Sequence, residues 1–289
     1  MRCERIALPS SDGAEVALDL YVPSVYEEID LNMRRPAIVI CPGGGYEFLS
    51  TREAEPVALH FLAEGFNCFV VWYRHAPHRY PRPQQDVAAA VAYVRTHADE
   101  LHTDPNAIAV MGFSAGGHAA GSLGVSWHRG ELWEEMGLTP EMVRPNAMVL
   151  CYPVVTGGEY AHRGSFVALT GSRDVRDHLA YSLDTQVTPN CPPTFLWHTF
   201  TDKDVPVQNS LMLGRRLCAK QASTPNCASI PSAGMVCPSP PIRSVSATIS
   251  PPSIRISVHG APSRQDSLKR RLRVNNLKTH AKRKTESAP

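Results

Sequence analysis

Val16, Leu18, Leu20 and Val22 alternate with small or polar residues, the period of a strand with one buried face. Further along, Ala37 to Cys41, Cys68 to Trp72, Ala107 to Met111, Ala147 to Tyr152 and Thr194 to Trp197 are short continuous apolar runs, which suit strands covered on both faces. Helical spacing falls between them. Val87, Val91, Val94, Ala98 and Leu101 lie on one helical face, Val57, Phe61 and Leu62 mark a helix before Gly65, and Gln208, Leu211, Leu213 and Leu217 mark a late one. Strands alternating with helices predict an α/β domain built on a mainly parallel, doubly covered sheet. The stretch 127–145, with Gly, Pro and a mixed helical piece at Glu131 to Met136, is expected to be an insertion that roofs a pocket.

This pattern stops near Gln221. From Ala222 onward Ser and Pro dominate, Pro240-Pro241 and Pro251-Pro252 break regular structure, and no period survives beyond Ile254 to Val258. The composition is that of a disordered or poorly packed tail. The division expected is therefore a domain over 1–221 and a tail over 222–289. Charge divides at the same place: the tail carries eleven Lys and Arg against two acidic residues, leaving 18 against 25 in residues 1–221, although the whole 289-residue chain is formally +2. Clusters such as Lys269-Arg270-Arg271 could meet phosphates, but the tail's composition offers no scaffold, and no nucleic-acid partner is expected. No apolar run approaches the length of a membrane span and the charged start does not resemble a signal peptide, so a cytoplasmic chain with reduced thiols is expected. Cys41, Cys68 and Cys151 lie in or at the ends of apolar runs, where a free thiol packs as a small hydrophobe.

Candidate chemistry centres on Gly112-Phe113-Ser114-Ala115-Gly116, a G-x-S-x-G sequence between a strand-like run and a small-residue helix. Glycines two before and two after allow the sharp turn that exposes a serine hydroxyl at a helix N-terminus. Such a serine needs a base, an orienting acid and donors for an oxyanion. Pro42-Gly43-Gly44-Gly45-Tyr46 follows the run at 37–41, and its glycines would let backbone N–H groups approach a substrate carbonyl. Gly44, Gly45 and the N–H of Ala115 are the expected oxyanion hole. Asp202 follows the run at 194–197 and is the expected acid, with Asp204 the rival; otherwise Asp204 would cap the helix after it. His75, His78, His118 and His198 read as structural or surface residues, and His259 is the tail's candidate base. No cofactor or metal is called for.

These pieces resemble the alpha/beta-hydrolase superfamily, in particular its small acetylxylan-esterase-like and feruloyl-esterase-like branch. The likeness rests on Cys41 to Tyr46, Tyr73-Arg74-His75-Ala76-Pro77 with Tyr80 to Pro83 and Asp86, the serine turn, Pro192 to His198, and Asp202 through Leu211. It covers about residues 16–221 and implies an esterase acting on acetyl or other short acyl esters, carbohydrate esters above all, with a small-molecule substrate and Asp202 in a D-x-x-V-P acid position. It also implies a histidine in a G-G-H-G-L loop after one further strand, and no such loop is present in the chain. Codon degeneracy suggests why. If the last base of each codon is read with the first two of the next, Asn226-Cys227 must give Leu and Met235-Val236 must give Gly, while Gly234-Met235 can give His. A strand E-L-x-I-Y-P followed by G-G-H-G-L-S is thus permitted. The expectation is a frameshift close to Gln221, a domain lacking its last strand and its histidine loop, and impaired activity. A non-catalytic hydrolase-fold binding protein and a peptidase of the same fold remain as alternatives, and the sequence leaves the oligomeric state open.

Overall fold

The computed structural model describes residues 1–10 and 12–221, together with strands at 245–250 and 253–258. The tail's remaining residues, including His259, and the tail's expected disorder lie outside the described residues. Seven strands form one sheet: β1 (Arg2–Pro9), β2 (Glu15–Val22), β3 (Arg35–Cys41), β4 (Asn67–Trp72), β5 (Thr103–Phe113), β6 (Ala147–Cys151) and β7 (Thr194–Trp197), in the order β1-β2-β4-β3-β5-β6-β7. β1, β2 and β4 pair antiparallel; every pairing from β4 through β3, β5 and β6 to β7 is parallel. β1, whose residues are mostly exposed, had no apolar signal in the sequence.

Period-two burial sends alternate side chains to opposite faces. Val39, Phe69, Val110 and Leu150 pack with α2 (Arg82–Thr96), α3 (Ala115–Ser126) and α7 (Gln208–Gln221) on one face. Ile38, Ile40, Val70 and Met111 pack with Ala58 and Phe61 of α1 (Glu55–Ala63) on the other. Each apolar run from 37 to 152 is buried on both sides, as its unbroken hydrophobicity requires. β7 differs: all four of its residues are partly exposed, and among the described residues no strand pairs with its outer edge. Val245–Ser250 (β8) and Ser253–Val258 (β9) pair with each other as a separate antiparallel hairpin.

The stretch 127–145 forms two short 3-10 turns and α4 (Pro140–Val143). Trp133 is only 1% exposed, and its indole N–H donates to Trp127 O at 2.9 Å. With Tyr80, Gln84, Ser122, Arg129 and Tyr181 it lines a cavity of about 170 Å³ whose wall includes none of Ser114, Gly44, Gly45 or Asp202. Residues of the stretch thus line a cavity on the flank formed by α2 and α3, where the buried tryptophan anchors it. Two short helices that sequence periodicity did not reveal, α5 (Arg163–Thr170) and α6 (Val175–Leu179), follow β6. No described helix is long and apolar enough to cross a membrane. Cys41, Cys68 and Cys151 are buried free thiols, and burial pushes the Cys68 and Cys151 thiols up to about 12.

Candidate active site

Ser114 separates the end of β5 from the start of α3 and takes φ 52° and ψ −119°, a conformation a non-glycine residue holds only when its surroundings impose it. Its N–H donates to Cys151 O at 3.1 Å, and its carbonyl accepts from Val154 N at 3.0 Å and His118 N at 3.2 Å. The flanking glycines matter for closeness. A Cβ on Gly112 would stand 2.2 Å from Gly116 O, and one on Gly116 would stand 2.1 Å from Cys41 O. The turn is thus pressed against the end of β3 with room for hydrogen alone, while the unusual φ falls on the serine. Ser114 is partly exposed at the N-terminus of a twelve-residue helix, where developing negative charge is favoured.

β3 neighbours β5, so the loop after β3 lies beside this turn. Gly44, Gly45 and Tyr46 have φ of 135°, 67° and 61°. Tyr73 Oη donates to Pro42 O at 2.5 Å, Ser50 N to Gly43 O at 2.8 Å and Ala76 N to Tyr46 O at 2.8 Å. These bonds fix the loop while the N–H groups of Gly44, Gly45 and Ala115 donate to no acceptor among the described residues. Gly44 and Gly45 thus keep free N–H groups on the loop after β3, and Ala115 keeps one at the start of α3.

Asp202 lies in the loop after β7, at the same end of the sheet. Its Oδ1 accepts from Asp204 N and Val205 N, each at 2.9 Å, which fixes the carboxylate in a tight turn. Oδ2 is 3.5 Å from His198 Nε2. Asp204 is exposed and precedes the first residue of α7 by four positions; the capping role considered for it is not realised, because the chain makes a turn between them.

His198, His75 and His118 are engaged elsewhere. His198 Nδ1 meets Ser210 Oγ and its Nε2 meets Val205 O, both at 2.8 Å, and burial pushes its pKa down. His75 Nδ1 lies 3.1 Å from Ala76 O, and His78 is exposed. His118 is 1% exposed, with Nδ1 2.8 Å from Tyr46 Oη and Nε2 2.8 Å from Tyr181 O. Since a carbonyl can only accept, Nε2 carries the proton and Nδ1 accepts from Tyr46, a neutral tautomer. Among the described residues no histidine bonds to Ser114 Oγ.

Burial lowers the His118 pKa to about 4 from its ordinary 6.5. The unfolded chain therefore binds a proton between those values that the folded chain refuses, so stability is full above pH 6.5 and falls as pH drops toward 4, by about 3 kcal/mol for this residue. Urea unfolding at pH 7 and pH 4.5 is expected to show that loss, with a shallower decline in His118→Gln; equal declines in the two proteins would remove His118 as its source.

A mostly parallel sheet, a strained serine between a strand and a buried helix, and a glycine loop at the adjoining strand end together define the alpha/beta-hydrolase fold. Within it, the chain belongs to the BD-FAE family, whose model matches residues 18–217. The endo-1,4-beta-xylanase B of Butyrivibrio fibrisolvens is 33% identical over 211 residues, covering 70% of this chain and 32% of that protein. An acetylxylan esterase of Xylanibacter ruminicola is 30% identical over 210 residues, covering 71% of this chain and 40% of that protein. The chain thus matches about a third to two fifths of the length of these curated relatives. Among solved structures, an acetyl ester-xyloside bifunctional hydrolase from Caldicellulosiruptor lactoaceticus is 37% identical with a TM-score of 0.64, covering 72% of this chain and 75% of that one. A carboxylesterase from Lactobacillus plantarum is 28% identical with a TM-score of 0.67, covering 76% and 80%.

Proposed function

We propose that this protein is a carboxylic ester hydrolase for acetyl and other short acyl esters, carbohydrate esters in particular, with Ser114 as nucleophile. Ser114 Oγ attacks the ester carbonyl, the N–H groups of Gly44, Gly45 and Ala115 stabilise the tetrahedral oxyanion, and water releases the acyl group from the serine. Asp202 is the acid that would orient the base. The observation that carries the proposal is Ser114 held at φ 52° at the N-terminus of α3 with the glycine loop against it, a Cβ on Gly43 standing 3.1 Å from Ser114 Cβ. Relatives named as an acetylxylan esterase and as an acetyl ester-xyloside hydrolase support the carbohydrate ester class.

The base belongs to the segment after α7, and we propose that a shifted reading frame there replaced it. Turnover by the present chain then rests on the oxyanion donors and substrate binding alone. Hydrolysis of p-nitrophenyl acetate is expected to be slow but measurable, about 10³- to 10⁴-fold above the uncatalysed rate. Ser114→Ala should abolish acetylation detectable by intact mass while leaving most of that residual turnover in place. Acetylation that persists in Ser114→Ala would reject the nucleophile assignment. That no described histidine bonds to Ser114 Oγ also favours a second reading, a hydrolase-fold protein that binds esters without turning them over. Saturable ester binding with no acyl-serine would distinguish it.

A further inference from the structure

Glu53 stands beside the serine turn, although no sequence motif drew attention to it. Its Oε2 accepts from Gly43 N at 2.8 Å and its Oε1 from Tyr152 Oη at 2.7 Å. No cationic side chain among the described residues lies within ion-pair distance of it, so two neutral donors hold this carboxylate. One belongs to the glycine loop after β3 and the other to the residue after β6. A Cβ built on Gly43 would stand 2.8 Å from Glu53 Oε2, 2.7 Å from Phe113 O and 3.1 Å from Ser114 Cβ. The carboxylate, the loop and the serine turn therefore meet at one glycine.

We propose that Glu53 and Tyr152 form a carboxylate–phenol strap that sets the glycine loop against the Ser114 turn, making Glu53 a positioning residue for the oxyanion donors. Both backbone groups of Gly43 are held from the far end of its own loop, the N–H by Glu53 and the carbonyl by Ser50 N. With the Gly43 N–H committed to Glu53, the next two N–H groups, on residues at φ 135° and 67°, are the ones left for an oxyanion. Tyr152 ties that arrangement to the other side of the turn. Its ring packs between Phe113 and Trp197, with centroids 5.9 and 5.7 Å away, and its N–H donates to Trp197 O at 2.6 Å. The preceding residue, Cys151, accepts the Ser114 N–H. Burial, and then the Glu53 carboxylate, push the Tyr152 phenol well above its ordinary range, so the proton stays in place to donate. Charged hydrogen bonds of this kind are stronger and more directional than neutral ones, which suits a strap whose task is alignment.

The catalytic consequence rests on the ester hydrolase proposal, but the strap itself does not, and two measurements separate them. Amide hydrogen exchange by mass spectrometry on the full chain reads the strap: in Glu53→Ala, exchange over residues 43–46 is expected to rise about tenfold or more while the central strands stay protected. Tyr152→Phe should give a smaller rise, and Glu53→Gln, which keeps one acceptor, should fall between wild type and Glu53→Ala. Phosphonylation of Ser114 by a p-nitrophenyl phosphonate, followed by intact mass, reads the consequence: the rate should fall about 10- to 100-fold in Glu53→Ala, as misalignment of a reacting geometry does, with partial recovery in Glu53→Gln. Wild-type exchange over 43–46 in Glu53→Ala would overturn the strap. So would faster exchange throughout the sheet with labelling reduced only in proportion to unfolding, the signature of a merely structural residue. A wild-type chain that resists phosphonylation while the exchange pattern holds would sink the nucleophile assignment and leave the strap standing.

Discussion

A gene whose frame is shifted after Gln221, so that the last base of each codon is read with the first two of the next, is expected to yield a protein that hydrolyses p-nitrophenyl acetate about 10⁶-fold faster than the present chain. The magnitude is what a missing general base costs a serine hydrolase whose other groups remain in place. The proposed site otherwise keeps its groups: Ser114 at φ 52°, N–H groups on Gly44, Gly45 and Ala115 without a described acceptor, and an Asp202 carboxylate that accepts two backbone bonds. The sheet gives a second, independent reason to expect a further strand. β7 is partly exposed at all four positions, and among the described residues its outer edge has no partner; an edge of that kind is an aggregation liability. The shifted protein should therefore also be more soluble and more stable. Changing its new histidine to alanine should return the rate to that of the present chain without losing the gain in stability. Equal turnover by the shifted and present proteins, or a shifted frame closed by stop codons, would defeat the explanation.

Asp86→Ala is expected to destabilise the fold by about 3–5 kcal/mol, the cost of stranding a buried charge. For a domain of this size that corresponds to a melting temperature lower by about 6–20 °C. Asp86 is 1% exposed and Arg74 is 8% exposed. Arg74 donates to Asp86 from Nε at 2.9 Å, from Nη2 at 2.7 Å and from its backbone N at 2.8 Å. Burial pushes the Asp86 pKa up, and the guanidinium opposes it; removing Asp86 leaves that guanidinium with Asp12, an outer partner at 2.5 Å that solvent reaches. Asp12→Ala should therefore lower the melting temperature far less, since solvent screens that side of the network. The pair does more than hold a core together. It ties the segment after β4 to the first turns of α2, and two residues after Arg74 the Ala76 N–H holds Tyr46 O beside the glycine loop. Loss of hydrolysis at temperatures where Asp86→Ala is still folded is the expected secondary effect. Thermal melts followed by circular dichroism test the main one, and a shift for Asp86→Ala no greater than that for Asp12→Ala would refute it.

Elements were legible wherever one face or both faces of the sheet dictated the pattern. The runs at 37–41, 68–72, 147–152 and 194–197 coincide closely with β3, β4, β6 and β7, and 16–22 alternates as the less covered β2 does. The periodicity at Val57 and Val87 likewise found α1 and α2, although Ala98 and Leu101 are buried beyond the end of α2. β1 escaped because it is an exposed edge with little to bury, and α5 and α6 because helices of eight and five residues are too short to show a period. For the stretch at 127–145, composition marks a break in the pattern but not the surface on which the chain then lies.

Local backbone chemistry let the sequence alone determine the strand–serine–helix turn and the glycine loop two strands earlier in the chain, and it supplied the expectations of an acid at 202 and of a domain end near 221. Each of these is written in neighbouring residues, because glycine and apolar runs constrain the chain where they stand. Only the tertiary structure decided that the Gly112 and Gly116 positions are closed by backbone oxygens, that His118 and His198 are spent on buried hydrogen bonds, and that Glu53 joins Gly43 to Tyr152. Glu53 and Tyr152 are 99 positions apart in the chain, and no local pattern records a meeting that parallel pairing of β3, β5 and β6 brings about.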